Sequence, residues 1–408
     1  MYTTSRRNYI MLYQRTIWPD IENHLQKKEI IIITGPRRVG KTTTLEHLLG
    51  EVDTSNKLFL DLENIVARKI FEKDDYNDVI TELTTRGLDF SRKVYLALDE
   101  VQFIKNISSV VKYLYDHYDI KFILTRSSSY YLKNHFTESL AGRKVLFELL
   151  PLSFVEYLAF KNVAVTRPPF HLFETPVKMN EGLYDIVNDH YQEFVRYGGF
   201  PSVVLASSSD DKKRMLSEIY SSYINYDVQN LSDFKQITDL RNLVSLLATR
   251  VGNRVNTSEL SSITGLARPT VDTYIEFLEQ TYLIRTLSVE SGSADVKVRK
   301  SRKLYFIDTG IASINADLSS GQKFENTVAA QLSHICEHVS YFENKDGEID
   351  FIVRSEQKIA AIEAKETPTV TDATTLARRA GRLGISTSYV VGRLTTEKFN
   401  AYAWGGEL

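Results

Sequence analysis

The sequence predicts an α/β protein, and three of its features support that prediction. Residues 29–34 form a short β-branched apolar run, followed by a glycine-rich loop and a run with a helical pattern. A second apolar run at 94–100 ends in two carboxylates, and apolar runs at 347–353 and 359–365 carry further charged residues. Short apolar runs bounded by turn residues are typical of buried strands. One α/β domain is therefore expected near the start of the chain and another near its end.

Composition limits the class of protein. The 408 residues correspond to about two to four domains, each large enough to bury a core. A net charge of −2 gives no global sign of nucleic-acid binding, so any basic surface must be local. The single cysteine, Cys336, excludes internal disulfides, and eight scattered histidines show no zinc-type spacing. No apolar run is long enough to span a membrane or follows Arg6 and Arg7 as in a secretory signal, so a cytoplasmic protein is expected.

The loop at 35–42, GPRRVGKT, matches the phosphate-binding pattern G-x-x-x-x-G-K-[ST] in the strand–loop–helix context that the pattern requires. Its two glycines let backbone N–H groups point at phosphate oxygens, and the helix N-terminus adds its positive dipole end. Lys41 can reach the β- and γ-phosphates, and the Thr42 hydroxyl can bind Mg²⁺. ATP and Mg²⁺ are the predicted cofactors; the alternative is a surface turn rich in glycine and arginine. The predicted nucleotide-binding residues are Gly35, Pro36, Arg37, Arg38, Val39, Gly40, Lys41, Thr42 and Thr43.

The run at 94–100 ends in Asp99 and Glu100, the carboxylates that a second nucleotide motif requires. Asp99 is predicted to orient the Mg²⁺ shell and Glu100 to polarise the attacking water. The alternative is a polar strand end that leads into a loop. Further strands are predicted at 57–64 and 121–125. The extra strand between the two motifs suggests the additional-strand class of P-loop ATPases, which includes the AAA+ proteins.

Three residues outside these motifs are candidates for action near the γ-phosphate. Thr125 and Ser127 lie at the end of the fourth predicted strand and are alternative candidates for a polar sensor; the serine-rich loop could instead serve only as a turn. Arg143 precedes another strand-like run and could stabilise charge during phosphoryl transfer, within its own chain or in a neighbouring subunit. The alternative for Arg143 is a solvated surface arginine.

The middle of the chain predicts a helical connector and then a winged helix. Residues 256–287 divide into a short helix, a turn at Gly265 and a longer helix, and strand-like runs on both sides of the turn at 291–294 would form the wing. Basic residues concentrate in the second of these runs, where phosphates would attract them. The acidic residues of the longer helix favour instead a structural or interdomain role. The predicted nucleic-acid contacts are Lys297, Arg299, Lys300, Arg302 and Lys303.

Four charged residues near the C-terminus match the pattern of PD-(D/E)XK nucleases. Glu325 lies in an amphipathic helical run, Asp350 in the run at 347–353, and Glu363 and Lys365 at the end of the run at 359–365. This resemblance implies that the three carboxylates bind Mg²⁺ and that Lys365 steadies the attacking water or the phosphate. Strand alternation puts Glu363 and Lys365 on one face. The alternatives are a remnant that only retains the fold and an accidental charged strand edge.

The order of several segments resembles a prokaryotic family of AAA+-like ATPases with a C-terminal domain related to PD-(D/E)XK nucleases. The segments are GPRRVGKTT, LDEVQ, TRSSSYYL, LAGRK, LLPLSFVEYL, RYGGFPSVV and LYFIDTGI. Members usually read T-G-S-S where this chain has Arg126 after Thr125, a difference that alters the charge or packing near the γ-phosphate. The expected domains are an ATPase core at 1–160, a connector or lid at 161–240, a winged helix at 241–310 and a mixed α/β nuclease-like domain, similar to restriction endonucleases, at 311–408.

The combined prediction is an ATP-hydrolysing protein that acts on DNA through the winged helix and the nuclease-like domain. The alternative is a nucleotide-dependent switch or scaffold that binds a protein or DNA and whose nuclease-like domain cleaves nothing. A protein partner or a homo-oligomer is compatible with either prediction, and no membrane partner is expected.

Overall fold

A computed structural model describes residues 12–127, 140–165, 171–174, 178–228, 237–291, 302–345, 347–355, 358–396 and 399–408. The first domain contains a five-stranded parallel sheet. Its strands are β1 (Ile30–Thr34), β2 (Lys57–Asp61), β3 (Val94–Asp99), β4 (Ile120–Arg126) and β5 (Lys144–Glu148). Their order in the sheet is β2-β3-β4-β1-β5. Strand β4 thus separates the strand of the glycine-rich loop from the strand that ends in the two carboxylates, which is the order expected of the additional-strand class.

Both faces of this sheet are buried, which explains why β1 is apolar without alternation. Ile31 and Ile33 pack into one hydrophobic cluster, and Ile30 and Ile32 pack into a second. The helices of this domain are α1 (Trp18–Glu22), α2 (Lys41–Gly50), α3 (Ile65–Phe71), α4 (Tyr76–Thr85), α5 (Ile107–His117) and α6 (Phe154–Phe160).

A helical segment follows, as predicted for the connector. It contains α7 (Glu181–Tyr197), α8 (Pro201–Leu205) and α9 (Ser209–Ser222), and a π-helical turn at Tyr223–Val228 continues α9. Between α7 and α8, Gly199 donates its N–H to Asp308 Oδ2 at 2.7 Å, and a Cβ atom there would lie 2.3 Å from the Leu152 carbonyl oxygen. The double glycine therefore serves close backbone packing.

Three helices and two antiparallel strands form the next unit. The helices are α10 (Ile237–Ala248), α11 (Thr257–Thr264) and α12 (Arg268–Gln280); the strands are β6 (Ile284–Leu287) and β7 (Lys303–Phe306). Gly265 ends α11 with a φ of 72°, the left-handed conformation that a tight turn between two helices requires. These described parts of 237–306 are called the three-helix unit below.

The C-terminal domain has a mixed five-stranded sheet. Its strands are β8 (His338–Asn344), β9 (Gly347–Ser355), β10 (Lys358–Lys365), β11 (Thr387–Gly392) and β12 (Ala403–Trp404), in the order β12-β11-β10-β9-β8. Its helices are α13 (Thr309–Asn315), α14 (Ser320–Ile335) and α15 (Val370–Arg382). Helix α14 contacts both β10 and β7, so it joins this domain to the three-helix unit. Among the described helices, none is long and apolar enough to cross a membrane.

Replacing Gly310 by alanine should destabilise the protein. A Cβ atom at Gly310 would lie 2.2 Å from the Tyr197 carbonyl oxygen, so α13 and α7 would be forced apart. Overpacking of this kind typically costs about 1–3 kcal/mol. Gly321 is the matched control, because a Cβ atom there meets nothing within 4 Å. We expect Gly310→Ala, but not Gly321→Ala, to lower the denaturation midpoint; equal midpoints would contradict this packing.

Candidate functional site

The glycine-rich loop follows β1 and turns directly into α2. Gly40 precedes that helix with a φ of 97°, in the left-handed region that favours glycine. A Cβ atom at Gly35 would lie 2.0 Å from the Leu149 carbonyl oxygen, so a side chain cannot be accommodated there. Both glycines of the motif are thus required by the backbone path. The loop ends at the N-terminus of a helix of 10 residues, where backbone N–H groups are available to an anion.

Lys41 lies inside this loop and is only 4% exposed. Its Nζ donates to the carbonyl oxygens of Gly35 and Pro36 at 3.1 and 2.8 Å. The same ammonium lies 3.9 Å from Glu100 Oε1. Carbonyl oxygens and a carboxylate therefore hold the positive charge in the loop, at contacts that phosphate oxygens could replace.

Asp99, the last residue of β3, contacts both the start of α2 and the end of β4. Its Oδ2 accepts a hydrogen bond from Thr42 Oγ1 at 2.6 Å, and its Oδ1 accepts one from the Thr125 hydroxyl. Thr125 Oγ1 also accepts the backbone N–H of Glu100 at 2.9 Å. Burial raises the pKa of Asp99 above its ordinary value, although both threonine hydroxyls oppose that change. Thr42 and Asp99, the two residues predicted to organise Mg²⁺, are therefore in direct contact.

Glu100 lies beside the same loop and accepts two kinds of side-chain hydrogen bond. Ser127 Oγ lies 2.5 and 2.6 Å from its two carboxylate oxygens, and the Gln102 amide also donates to it. Burial would raise the pKa of Glu100, but the charges of Lys41 and Arg37 together with the hydrogen bonds from Ser127 and Gln102 lower it below the ordinary value. The carboxylate is therefore ionised at neutral pH. Its backbone has a φ of 54°, in the left-handed region.

The two sensor candidates have separate contacts at this site. Thr125 bonds to Asp99, whereas Ser127 bonds to Glu100. The structure brings both hydroxyls into the site, and the choice between them stays a prediction.

Arg143 lies at the amino-terminal ends of the strands, opposite the glycine-rich loop. Its carbonyl accepts the N–H of Ile30, at the first residue of β1, and its guanidinium pairs with Asp116 at 3.0 Å. The glycine-rich loop leaves the opposite end of β1, roughly 16 Å away for a strand of this length at about 3.3 Å per residue. This position does not favour action on a γ-phosphate bound by the same chain, and that role stays a prediction. Action in a neighbouring subunit stays a prediction.

Arg126, which replaces the glycine expected from the family resemblance, is buried at the end of β4 and only 1% exposed. Burial lowers the pKa of its guanidinium to about 10, while Tyr282 and the negative charge of Glu100 act in the opposite direction. Tyr282 belongs to the three-helix unit, and its hydroxyl lies 3.1 Å from Thr34 Oγ1, one residue before the glycine-rich loop. The three-helix unit thus contacts the strand that carries this loop.

Arg15 supports the loop from behind, a role that no sequence motif indicated. Its Nη1 donates to the Val39 carbonyl at 2.8 Å and its Nη2 to the Leu150 carbonyl at 2.7 Å. Its Nε pairs with Glu156 at 2.9 Å, and both side chains are almost fully buried. No local sequence pattern could indicate this ion pair, because Arg15 and Glu156 lie 141 positions apart.

The predicted basic contacts with nucleic acid do not form one surface in the described part of the chain. Lys297, Arg299 and Lys300 lie outside the described residues. The Arg302 side chain is 59% exposed and lies 3.4 Å from Glu279 Oε2. Lys303 is 2% exposed and points away from solvent, so its predicted contact with a phosphate backbone is wrong for this arrangement.

Lys303 instead lies among the acidic residues of the C-terminal domain. Its Nζ lies 3.2 Å from Asp350 Oδ1 and 3.4 Å from Glu325 Oε1, and it also pairs with Glu348. Burial would lower the pKa of Lys303, but these carboxylates raise it above its ordinary value. We call the carboxylates of Glu325, Glu348, Asp350 and Glu363 the acidic cluster.

The other predicted residues of the nuclease-like site adjoin this ammonium. Lys365 Nζ lies 2.9 Å from Glu363 Oε1, in agreement with their placement on one strand face. Burial and then the charge of Asp350 raise the pKa values of Glu325 and Glu363 to about 7. Within the described ranges, no three His, Cys, Asp or Glu side chains are placed to share a metal ion. The predicted residues therefore come together around the Lys303 ammonium, in an arrangement that does not fit a divalent metal.

Three family models match separate parts of the chain. An AAA domain matches residues 27–158, and two domains of unknown function, DUF8612 and DUF4143, match residues 188–322 and 320–400. An uncharacterised protein of Haemophilus influenzae is 27% identical over 362 residues, covering 84% of this chain and 85% of that protein. An uncharacterised protein of Methanocaldococcus jannaschii is 27% identical over 350 residues, covering 83% of this chain and 75% of that protein.

Solved structures resemble the chain more distantly. A Walker-type ATPase of Pyrococcus abyssi is 16% identical, with 74% of this chain and 96% of that chain covered and a TM-score of 0.46. The Aeropyrum pernix ORC1 protein, solved in complex with DNA, is 13% identical, with 77% and 93% covered and a TM-score of 0.33. Together with the sheet order and the glycine-rich loop, the matched AAA domain makes the N-terminal part of this chain an AAA-type P-loop ATPase domain.

Replacing Arg15 by alanine should destabilise the ATPase domain and weaken ATP binding. The substitution leaves Glu156 buried without its cation, which typically costs about 3–5 kcal/mol, and removes the donor to the Val39 carbonyl. Arg92→Ala is the control, because its ion pair with Asp89 is exposed and such pairs contribute little to stability. Denaturant titration and ATP titration check the two effects. If Arg15→Ala had the stability and the ATP affinity of the wild type, Arg15 would not support the glycine-rich loop.

Proposed function

We propose that this protein is an Mg²⁺-dependent ATPase whose nucleotide state controls the position of the three-helix unit. The observation that carries the first half is the contact of Asp99 with both Thr42 and Thr125. This contact brings the hydroxyl of the glycine-rich loop and a carboxylate to one point, where they would hold Mg²⁺ and one of its waters. Bound Mg²⁺ would neutralise charge on the β- and γ-phosphates. Lys41 would bind the same phosphates from inside the loop.

Glu100 would orient the attacking water and accept its proton. The hydrogen bonds from Ser127 and Gln102 fix the carboxylate, and the neighbouring positive charges keep it ionised. A fixed, ionised carboxylate beside the glycine-rich loop is the arrangement that general-base catalysis requires. Arg126, buried beside Glu100, would be attracted by the negative charge of the γ-phosphate.

The contacts of the three-helix unit support the second half of the proposal. Tyr282 reaches Thr34 at the base of the glycine-rich loop, and Arg285 pairs with Glu148 on the neighbouring strand at 3.2 Å. The same unit carries Lys303 into the acidic cluster. One unit therefore contacts both the ATP site and the C-terminal domain, as a nucleotide-controlled switch requires. We interpret its helices and strands as a winged helix, which would serve here as an interdomain contact.

Glu100→Gln should retain ATP binding and reduce ATP hydrolysis by about 100-fold or more, because a general base contributes about 10²–10⁴. Glu46→Gln is the matched control, since Glu46 is exposed on α2. Lys41→Ala should lose binding and turnover together. Fluorescent-nucleotide titration and phosphate release separate these effects. Normal turnover by Glu100→Gln would remove its role as the base, and normal turnover by Lys41→Ala would place the ATP site elsewhere.

Metal-dependent DNA cleavage is the second candidate function. It is favoured by the proximity of Glu325, Asp350, Glu363 and Lys365, and the exposed Arg302 could contact a phosphate backbone. The Lys303 ammonium among these carboxylates argues for the switch instead, with a nuclease-like domain that is silent in this arrangement. The acidic residues Asp272 and Glu276 on the exposed face of α12 also disfavour DNA there.

Linear and circular DNA incubated with Mg²⁺ or Mn²⁺, with and without ATP, should therefore stay intact on a gel. Asp350→Ala and Lys365→Ala proteins would be run beside the wild type. Lys358→Ala is their control, because Lys358 is exposed at the far end of β10. Cleavage by the wild type and by Lys358→Ala, but not by Asp350→Ala or Lys365→Ala, would establish a nuclease. The proposal that the nuclease-like domain is silent would then be wrong.

A further inference from the structure

We propose that the acidic cluster is a divalent-cation site that Lys303 blocks, so that the three-helix unit acts as a built-in inhibitor of metal binding. The inference concerns cation binding alone and holds whether or not the C-terminal domain cleaves DNA. Nothing in the ATP site enters it, so a failed ATPase proposal would leave it standing.

Lys303 comes from outside the sheet that carries the acidic residues. It is the first residue of β7, which pairs with β6 of the three-helix unit, while Asp350 and Glu348 lie on β9 and Glu325 on α14. The ammonium contacts all three of these carboxylates. A single positive charge shared by several carboxylates is the role that a bound metal ion plays in such clusters. Lys303 thus stands where the cation would be.

The rest of the three-helix unit closes the same face. A Cβ atom at Gly252 would lie 2.9 Å from both carboxylate oxygens of Glu325, so the backbone there approaches the cluster closely. The Tyr305 hydroxyl donates to Glu325 Oε1 at 2.7 Å. At the edge of the contact, Arg254 pairs with Glu343 at 2.8 Å. The unit thus lies against the cluster on this side, and its Lys303 ammonium occupies the place among the carboxylates that a cation would need.

One carboxylate oxygen in the cluster has its hydrogen-bonding capacity unused. Glu363 is 9% exposed, and its Oε2 accepts no hydrogen bond from any residue that the structure describes. Its Oε1 is paired with Lys365, and Asp350 Oδ2 accepts the Ala364 N–H at 3.1 Å. A buried carboxylate oxygen without a partner is costly unless a partner arrives. Withdrawal of Lys303 would leave this oxygen, Asp350 and Glu325 available to a hard divalent cation such as Mg²⁺ or Mn²⁺.

Mn²⁺ binding to the full chain without nucleotide, followed by electron paramagnetic resonance, tests this proposal. Wild type and Asp350→Asn should bind the same number of Mn²⁺ ions, because the cluster is blocked in both. Lys303→Met should bind about one additional Mn²⁺ per chain, and Lys303→Met/Asp350→Asn should lose it. Lys358→Met is the control for loss of a lysine and should match wild type, since Lys358 is exposed.

Thermal denaturation gives a second readout, because removal of Lys303 leaves buried carboxylates unpaired. Saturating Mn²⁺ should raise the melting temperature of Lys303→Met by about 5 °C or more, and should do so far less for wild type. Folding of Lys303→Met only in the presence of Mn²⁺ would also support the proposal. A folded Lys303→Met that gains no Mn²⁺ would overturn it. If Lys303→Met does not fold at all, wild type and Asp350→Asn are compared instead. A Mn²⁺ ion that wild type binds and Asp350→Asn does not would show that Lys303 leaves the site open, and would overturn the proposal.

Discussion

A buried ammonium ion must be paired or lose its charge, and Lys303 satisfies this requirement with carboxylates from another part of the chain. That pairing determines how β7 lies against α14 and β9. Because β7 also pairs with β6, the position of the three-helix unit follows from it. The contact between Tyr282 and Thr34 then places the opposite side of that unit against the ATPase domain. A single buried charge therefore influences the arrangement of three parts of the molecule.

The ATP site is organised differently, through short hydrogen bonds at one edge of a parallel sheet. Strands β1, β3 and β4 end side by side, so Thr42, Asp99 and Thr125 meet without long side chains having to be ordered. Short side chains lose little conformational entropy when they are fixed. The buried Arg15 and Glu156 then hold the loop from behind. The site is thus largely preorganised before any ligand binds.

The parts of the site that could be predicted from the sequence are local in the chain. Lys41 and Thr42 belong to one loop, and Asp99 and Glu100 to one strand end. The relative positions of such neighbouring residues are fixed by the local backbone. The sequence left the role of Arg143 open, because a motif gives proximity in sequence but not the direction of the following strand. The strands of this domain were also predicted from local patterns, because apolar runs mark them, whereas their order in the sheet came only from the structure.

Lys303 shows why the remaining features could not be predicted. In the sequence it ends a basic stretch and resembles its neighbours, whereas in the fold it is buried among acidic residues 22 to 47 positions away. Strand alternation decides which residues of such a stretch face the interior, and it does not reveal what they will meet there. Arg15 is similar, since its partner belongs to a distant helix. These contacts depend on the packing of whole domains.

The backbone conformation of Glu100 depends on two hydroxyl groups from another strand end. A non-glycine residue in the left-handed region carries a cost of about 1–2 kcal/mol. The Glu100 N–H donates to the Thr125 hydroxyl and the Ser127 hydroxyl donates to the Glu100 carboxylate, and these two contacts hold Glu100 in that conformation. The backbone of this turn is therefore strained. Loss of either hydroxyl would remove one of these contacts, and the turn could then relax to a more common conformation that moves the carboxylate away from Lys41.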